Sequence, residues 1–228
     1  MKKRKNIEKF ENIKEIIYHS ATVYSDNIAF STKIKNSGNV EYINHTYSDL
    51  LENINSFGTA LYKYGLQNKR VAVVGHNSYE WAVAHLSNLL GGIVSVPLDK
   101  GLQLGELESS LIRSRVQAIV FDEKLKDVIK EIKKNNKTSI KYYICTSKIP
   151  DFLYFYDLLL NGRDDIEKGY LEYVNHKVDS YKMSILLFTS GTTSKSKAVM
   201  LNQYGIATNV YDMQLVESFY DNDVNIAF

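Results

Sequence analysis

Several features that would place a protein outside the cytoplasm or in a membrane are missing from this sequence. A single cysteine, Cys145, excludes an internal disulfide and suits a reducing compartment. No run of about 18 apolar residues occurs, so no transmembrane helix is expected. The basic start, Met1–Lys5, lacks the apolar core of a secretory signal. These absences predict a cytoplasmic protein with no integral membrane segment.

Charge and histidine placement exclude two further classes of partner. The formal net charge is only +2, and no basic-aromatic motif is present, so nucleic acid is not an expected partner. The histidines are His19, His45, His76, His85 and His176. Their spacing matches no metal-ligand pattern, so no metal site is predicted. Cys145 lies in an apolar, strand-like run and is expected to be a buried structural thiol.

An amphipathic helix is predicted just after the basic start. Its apolar stripe consists of Ile7, Phe10, Ile13, Ile16 and Ile17. Such a helix could lie on a membrane surface, giving a peripheral membrane contact, or pack on the domain as its first helix. Glu8, Glu11 and Glu15 on the polar face weaken attraction to anionic lipid and favour the packed arrangement.

Residues 27–46 have the pattern of a β-hairpin, with strands at 27–34 and 40–46 around a polar turn that contains Gly38. Thr46 and Asp49 then form a capping-box pattern that opens a helix, which Gly65 ends. We therefore predict a first unit over residues 1–65, made of helix, hairpin and capped helix, and an α/β unit over 66–228.

From Arg70 the chain alternates short apolar strands with amphipathic helices. Strands are predicted near 71–75, 93–96, 117–121 and 140–145, with helices near 78–90, 104–115 and 124–135. This rhythm predicts an α/β fold with a parallel sheet flanked by helices. Gly75 follows the first of these strands, but no G-x-G-x-x-G follows it, so a Rossmann cofactor site is not predicted.

The last third of the chain surrounds a loop rich in hydroxyl groups. Residues 146–182 are less regular, with a helix expected in the middle. A strand at 183–188, a loop, a strand at 198–201 and a helix over 202–217 follow, and 221–228 has the pattern of a turn leading into a strand. Because a domain rarely stops on entering a core strand, we expect the chain to be part of a longer protein.

The loop has the chemistry that a polyphosphate requires. Hydroxyl and backbone N–H groups can donate hydrogen bonds, Gly191 permits a close backbone approach, and Lys197 supplies a positive charge. A Walker A loop is not indicated, because Gly191 and Lys197 are not joined by the required second glycine and no hydroxyl follows. Ser194 and Lys197 fit an S-x-x-K pattern, but its partner motifs are absent.

This segment resembles the signature loop of the adenylate-forming synthetases, whose pattern is aromatic-Thr-Ser-Gly-Thr-Thr-Gly-x-Pro-Lys-Gly-Val. The matching positions are Phe188, Thr189, Ser190, Gly191, Thr192, Thr193, Lys197 and Val199. Three positions depart from the pattern: Ser194 and Ala198 replace glycine, and Ser196 replaces proline. Upstream, residues 71–81 and 92–100 are similar to strand, turn and helix segments of the same family. Their sequences are most like those of long-chain fatty acyl-CoA synthetases.

The resemblance implies an incomplete N-terminal domain of an enzyme that activates a carboxylate through an acyl-adenylate. ATP and coenzyme A would be substrates, with Mg²⁺ as a cofactor, and a fatty acid is the expected carboxylate. The implied phosphate-binding residues are Thr189, Ser190, Gly191, Thr192, Thr193 and Lys197. No catalytic residue and no metal ligand are assigned, because the remaining motifs of the family do not occur before residue 228. We therefore expect the 228-residue chain alone to be inactive.

Three alternatives to the fatty acyl-CoA ligase remain open. The chain could be a non-catalytic remnant that binds a nucleotide or a partner, which the three departures in the loop favour. It could belong to an enzyme that adenylates amino or aryl acids and passes them to a carrier protein. The loop could also be a surface turn with incidental threonines, although the matching flanking segments argue against that. Ser190 as a covalent nucleophile has no histidine nearby in sequence to activate it.

Overall fold

A computed structural model of the chain describes residues 8–36, 39–189, 197–217 and 223–226. It contains a two-stranded sheet and a seven-stranded sheet, and helices cover both faces of the larger one. The prediction of an α/β fold, with a mostly parallel sheet flanked by helices, is confirmed.

The first helix, α1, spans Ile13–Val23. It begins later than predicted because the side chain of Asn12 accepts a hydrogen bond from the backbone N–H of Glu15 at 3.0 Å and caps the helix there. Phe10 therefore lies before the helix, and Ile7 lies outside the described residues. Ile13 is buried, and the helix packs on the core, as the second of the two alternatives predicted.

The hairpin and the capped helix occur as predicted. Strands β1 (Ile28–Asn36) and β2 (Asn39–Thr46) pair antiparallel, and helix α2 spans Tyr47–Lys63. The capping box is formed in both directions, because Asp49 N–H donates to Thr46 Oγ1 at 3.1 Å and Thr46 N–H donates to Asp49 Oδ2 at 2.8 Å. Gly65 follows the helix with a φ of +70°, a conformation that favours glycine. The division of the chain into units at residue 65 stays a prediction.

The larger sheet is parallel throughout except at one edge. Its strands are β3 (Arg70–Val74), β4 (Val94–Leu98), β5 (Ala118–Phe121), β6 (Tyr142–Cys145), β7 (Leu153–Tyr154), β8 (Met183–Thr189) and β9 (Lys197–Asn202). Their order across the sheet is β7-β6-β5-β3-β4-β8-β9, and only β8 and β9 pair antiparallel. The predicted strands are confirmed to within two residues at each end, whereas the two-residue strand β7 was not predicted.

Five helices accompany these strands. They are α3 (Tyr79–Leu90), α4 (Leu104–Ser114), α5 (Lys126–Asn135), α6 (Phe155–Glu167) and α7 (Gln203–Val216). A short 3-10 helix at Glu123–Leu125 precedes α5, and α6 is the helix expected in the middle of 146–182. Residues 223–226 form no regular secondary structure, and the rest of the strand expected at 221–228 lies outside the described residues.

Alternating side chains of β3 show how the sheet is covered. Val71 and Val73 belong to a core cluster that includes residues of α2, α3 and α6. Ala72 and Val74 face the other way, into a second cluster with residues of α4 and α5. Because side chains along a strand alternate between its two faces, a central strand that is apolar at every position requires helices on both sides.

Helices α2 and α6 approach each other backbone to backbone at Gly162. A Cβ atom placed on Gly162 would lie 1.8 Å from the carbonyl oxygen of Ser56, so only glycine permits this contact. Phe57 and Phe155 stack nearby, with their ring centroids 4.4 Å apart. This packing fixes α2 against the larger sheet.

Cys145 ends β6 and is fully buried. Burial raises the pKa of its thiol, which keeps it protonated and unreactive at neutral pH. The prediction of a buried structural thiol is confirmed. Among the helices described, none is long and apolar enough to cross a membrane.

Candidate functional site

The predicted phosphate loop joins β8 to β9 in an antiparallel hairpin. Thr189, the last residue of β8, lies directly opposite Lys197, the first residue of β9, and Thr189 Oγ1 donates to the Lys197 carbonyl oxygen at 3.5 Å. Both residues are exposed. Ser190, Gly191, Thr192 and Thr193, the other predicted site residues, lie outside the described residues. The structure therefore brings together the two ends of the loop that the sequence placed eight residues apart.

The hairpin opens at the carboxyl edge of the parallel strands. Strand β8 runs parallel to β4, with Ser95 opposite Ile185, and β4 runs parallel to β3. In open α/β sheets, ligands bind in the crevice outside the carboxyl ends of the strands. Thr189 thus lies at the edge of the sheet where the fold places its ligands.

The base of the hairpin is buried, whereas the end of β8 and the start of β9 are exposed. Ile185 and Leu186 are 7% and 6% exposed, and Ser184 Oγ donates to the Leu201 carbonyl oxygen at 3.4 Å. Exposure rises to 37% at Leu187, two residues before the loop. Farther along, the guanidinium of Arg113 lies 5.2 Å from the centre of the Phe188 ring. The hairpin is therefore fixed in the core at its base, and Thr189 and Lys197, the described residues beside the loop, face solvent.

Gln203 anchors the chain immediately after β9. Its side chain is 1% exposed, donates to the Leu89 carbonyl oxygen at 2.8 Å and accepts from the backbone N–H of Ile13 at 3.0 Å. Both polar ends of the amide are thus satisfied inside the protein. This residue ties the exit of the hairpin to the end of α3 and to the start of α1.

A buried polar group lies beside β8. His85 Nδ1 is 2.8 Å from Ser95 Oγ, to which Asn88 Nδ2 also donates at 3.2 Å. The ring of Trp81 stacks on the His85 ring, with centroids 5.0 Å apart. Burial lowers the pKa of His85 to about 4, so the imidazole is neutral at physiological pH. The group holds α3 to β4, the strand that supports β8.

Sequence reasoning did not find a hydrogen-bonded His–Asp pair at the same edge of the sheet. His76 follows β3 and Asp122 follows β5, and His76 Nδ1 lies 2.7 Å from Asp122 Oδ2. The backbone N–H of His76 donates to the same oxygen at 2.6 Å. A Cβ atom on Gly75 would lie 2.9 Å from that oxygen, so glycine makes the approach possible.

The hydrogen bonds decide the charge of Asp122. Burial tends to raise its pKa, but donation from His76 and from the backbone N–H of Lys124 outweighs burial, and the pKa lies below its usual value. An ionised carboxylate only accepts, so Nδ1 of His76 carries a proton and Nε2 is left for another contact. Two strand spacings, about 10 Å, separate β3 from β8, so this pair shares the edge with Thr189 without touching it.

Of the three departures from the signature pattern, one lies in the described residues. Ala198 replaces a glycine, and it pairs with Phe188 in the regular register of the hairpin. Its φ is not positive, so the backbone here needs no glycine. Ser194 and Ser196 lie outside the described residues.

The fit to a metal ion can be examined in the part of the chain that the structure describes. Within it, no three His, Cys, Asp or Glu side chains come together as a group that could hold a metal. Magnesium is commonly held by one or two carboxylates together with substrate phosphates. The described residues therefore do not offer a complete protein site for Mg²⁺.

Solved structures share this fold. The complex of VinN with L-aspartate superimposes with a TM-score of 0.71 at 18% identity, covering 94% of this chain and 54% of that one. The anthranilate CoA ligase AuaEII with anthranoyl-AMP gives a TM-score of 0.69 at 16% identity, covering 89% of this chain and 36% of that one.

Curated relatives match in sequence. The mitochondrial medium-chain acyl-CoA ligase ACSF2 of Danio rerio is 26% identical over 187 residues, 74% of this chain and 31% of the relative. The long-chain-fatty-acid–CoA ligase of Salmonella typhimurium is 25% identical over 229 residues, 90% of this chain and 39% of the relative. The chain thus spans about a third of the length of the curated relatives it matches.

The family prediction rests on most of the chain and not on the loop alone. The family model described as "AMP-binding enzyme" matches residues 17–228, from the middle of α1 through the hairpin to the end of the sequence. The solved structures agree in fold, as the resemblance to adenylate-forming synthetases predicted. The chain belongs to the AMP-binding enzyme family.

Proposed function

We propose that the protein of which this chain is part is an AMP-forming acid–thiol ligase. It would join a carboxylate to ATP, releasing pyrophosphate, and then pass the acyl group from AMP to the thiol of coenzyme A. The observation that supports this most is the placement of Thr189 and Lys197 on either side of the signature loop, at the carboxyl edge of the sheet. That edge is where an AMP-binding fold would receive a nucleotide.

The reaction needs no nucleophile from the protein. An oxygen of the substrate carboxylate attacks the α-phosphorus of ATP, and the bond to the β-phosphate oxygen breaks. Catalysis then depends on orientation and on offsetting the charge of the departing pyrophosphate. We assign this role to the loop: Lys197 would pair with phosphate oxygens, while the hydroxyl and N–H groups of residues 189–193 would donate to them.

We propose a fatty acid as the carboxylate. Support comes from the names of the relatives, a medium-chain and a long-chain ligase. The solved structures include an anthranilate CoA ligase and a protein bound to L-aspartate, which makes aryl and amino acids the comparison substrates. A panel of hexanoate, palmitate, anthranilate and aspartate, each at equal concentration, would assign the class by the fastest ATP-dependent release of AMP.

Magnesium and cellular location complete the proposal. Because magnesium is commonly held by substrate phosphates with one or two carboxylates, and no three His, Cys, Asp or Glu side chains of the described residues form a metal-binding group, we propose that Mg²⁺ enters with ATP. We propose a cytoplasmic location, which the single buried cysteine supports. Microscopy of the tagged parent protein would test the location, and accumulation in another compartment would contradict it.

The test of the site is pyrophosphate exchange by the full-length parent protein. Lys197→Ala is expected to reduce ATP–pyrophosphate exchange about tenfold or more, since a hydrogen bond to a charged group contributes about 1.5–3 kcal/mol. Thr192→Ala should reduce exchange as well. Lys182→Ala is the matched control, because Lys182 is an exposed lysine just before β8, at the opposite end of the strand. Equal exchange in all three variants would reject the assignment of the loop.

Two further measurements separate an enzyme from a remnant. Ser194→Gly in the parent should raise the rate if the lost glycine stiffens the loop. The intact mass of the native protein should be about three times the 26.1 kDa of this chain, because the match covers 31% of the length of its relative. We expect no carboxylate-dependent AMP formation by the 228-residue chain alone, and robust activity from it would overturn that proposal.

A further inference from the structure

Helix α5 presents a row of lysines to solvent. Lys126, Lys130, Lys133 and Lys134, here called the lysine stripe, have the spacing i, i+4, i+7 and i+8, which places them on one face of the helix. Ile129 and Ile132 point away from that face and are fully buried against the sheet. The acidic residues Asp127 and Glu131 lie on the flank next to Lys134, each three residues before a lysine of the stripe. The acidic side chains of α5 therefore border the lysine stripe on one side only.

The stripe lies at the centre of a basic segment. Between residues 113 and 148 there are ten lysine or arginine residues and four aspartate or glutamate residues, a net charge of +6. The whole chain has 28 basic and 26 acidic residues, so the remainder carries 18 against 22, a net −4. A protein that is almost neutral overall thus has its positive charge concentrated in the part of the sequence that contains α5.

Internal contacts neutralise only part of this charge. Lys126 pairs with Glu123 at 3.7 Å, and Lys133 donates to the Asp151 carbonyl oxygen at 2.8 Å. Within the described residues, Lys130 and Lys134 form no ion pair, and both are exposed. These two ammonium groups are the part of the stripe available to an external anion.

We propose that the lysine stripe docks the protein on an anionic lipid bilayer. A flat surface of phosphate headgroups complements a one-sided row of lysines, which contribute about 1 kcal/mol each near such a surface. Helix α5 carries no aromatic side chain, and the two rings beside the stripe, Tyr143 and Phe152, are half-buried against the Lys133 ammonium, which favours a bilayer over the stacking of nucleic-acid bases. The stripe has no apolar residue to insert, so the contact would be electrostatic and peripheral. This lipid contact does not depend on which carboxylate the parent protein activates.

Cosedimentation of the 228-residue chain with vesicles tests the proposal. The chain should bind vesicles of equimolar phosphatidylcholine and phosphatidylglycerol, bind phosphatidylcholine alone far more weakly, and be released by salt. Lys130→Gln with Lys134→Gln should weaken binding about thirtyfold, since two lysines account for about 2 kcal/mol and 1.4 kcal/mol is tenfold. The Lys130→Arg and Lys134→Arg double variant keeps both charges and should bind the vesicles as tightly as the unsubstituted 228-residue chain.

The matched control removes the same charge elsewhere. Lys69→Gln with Lys177→Gln changes two exposed lysines outside the basic segment and should leave vesicle binding within about twofold. Equal weakening by both pairs would overturn the proposal, because net charge alone would then explain binding. Equal binding to the two vesicle types would also overturn it. Binding to a DNA duplex, lost in the Lys130/Lys134 pair while neither vesicle binds, would assign the stripe to nucleic acid instead.

Discussion

Acidification should destabilise this protein through one partly buried histidine. His85 has an ordinary pKa of 6.5, which burial lowers to about 4 in the folded chain. Between these values the unfolded chain binds a proton that the folded chain does not. The stabilising contribution of His85 is therefore complete above pH 6.5 and is lost progressively as the pH falls toward 4.

The size of the effect follows from the two pKa values. The full difference between 6.5 and about 4 corresponds to about 3 kcal/mol, since one pKa unit is 1.36 kcal/mol. Over the interval from pH 7 to pH 5, proton linkage gives a loss of about 2 kcal/mol. The structure supports so large an effect because the hydrogen bond and the ring contact of His85 are both to neutral groups: the Ser95 hydroxyl at 2.8 Å and the Trp81 ring stacked on it. No described carboxylate forms an ion pair with it.

Urea unfolding of the wild-type chain and of His85→Gln at pH 7, 6 and 5 measures the effect. Trp81 is the sole tryptophan and stacks on the ring, so its fluorescence follows unfolding of this region, and far-UV circular dichroism follows the whole chain. Glutamine is neutral throughout this range and can still bond to Ser95. The wild type should lose about 2 kcal/mol more free energy of unfolding than the variant between pH 7 and pH 5.

Taking the difference between the wild type and His85→Gln removes the contributions of other titrating groups to the pH dependence of stability. Burial also lowers the pKa of His176, but His176 is present in both proteins and cancels in the difference. Asp122 has a pKa below its usual value, so it titrates under acid conditions beyond this interval. If wild type and variant lose the same free energy on acidification, His85 is not a buried neutral group and the reasoning is refuted.

Three further substitutions test the packing, a helix cap and the His76–Asp122 pair. Gly162→Ala should lower the free energy of unfolding by about 3 kcal/mol, because the new methyl group would overlap the Ser56 carbonyl. Urea unfolding measures this loss. A loss under about 1 kcal/mol would mean that α2 and α6 can separate to admit the methyl group. Thr46→Ala should cost about 1 kcal/mol in the same assay by removing one half of the capping box, while Thr46→Ser, which keeps the hydroxyl, should restore it. The ionised Asp122 stabilises the fold above its usual pKa of 3.8, and this contribution is lost as the pH falls through its lower folded value. Asp122→Asn should therefore have a lower free energy of unfolding at neutral pH, and that free energy should change less with pH below about pH 4. If the free energies of the two proteins vary with pH in parallel, this prediction is wrong.

Local patterns predicted most of the elements, because each rests on residues close in sequence. Thr46 and Asp49 are one helical turn apart, and their reciprocal bonds formed as expected. The start of α1 was misjudged because apolar periodicity continues back to Ile7, whereas the Asn12 cap stops the helix at Ile13. Strand β7 is too short, at two residues, to leave a periodic pattern.

Tertiary pairing explains what the sequence could not predict about the site. Thr189 and Lys197 were predicted together, because a hairpin brings the two ends of one loop side by side. His76 and Asp122 are 46 residues apart, and they meet only because β3 and β5 are neighbours in the sheet. Each directly follows a predicted strand, which was the available signal, but the order of strands across the sheet is set by long-range packing.

The anchoring of α1 has a consequence for how the protein is made. Its first backbone N–H bonds to Gln203, 190 residues later, and the Lys14 ammonium bonds to the carbonyl oxygens of Val174 and His176. At a synthesis rate of roughly 5–20 residues per second, about 10–40 s pass between the emergence of α1 and that of its last anchor. During that interval α1 lacks its final attachments. Helix α1 is therefore fixed in place only after the residues that follow it, up to Gln203, have been made.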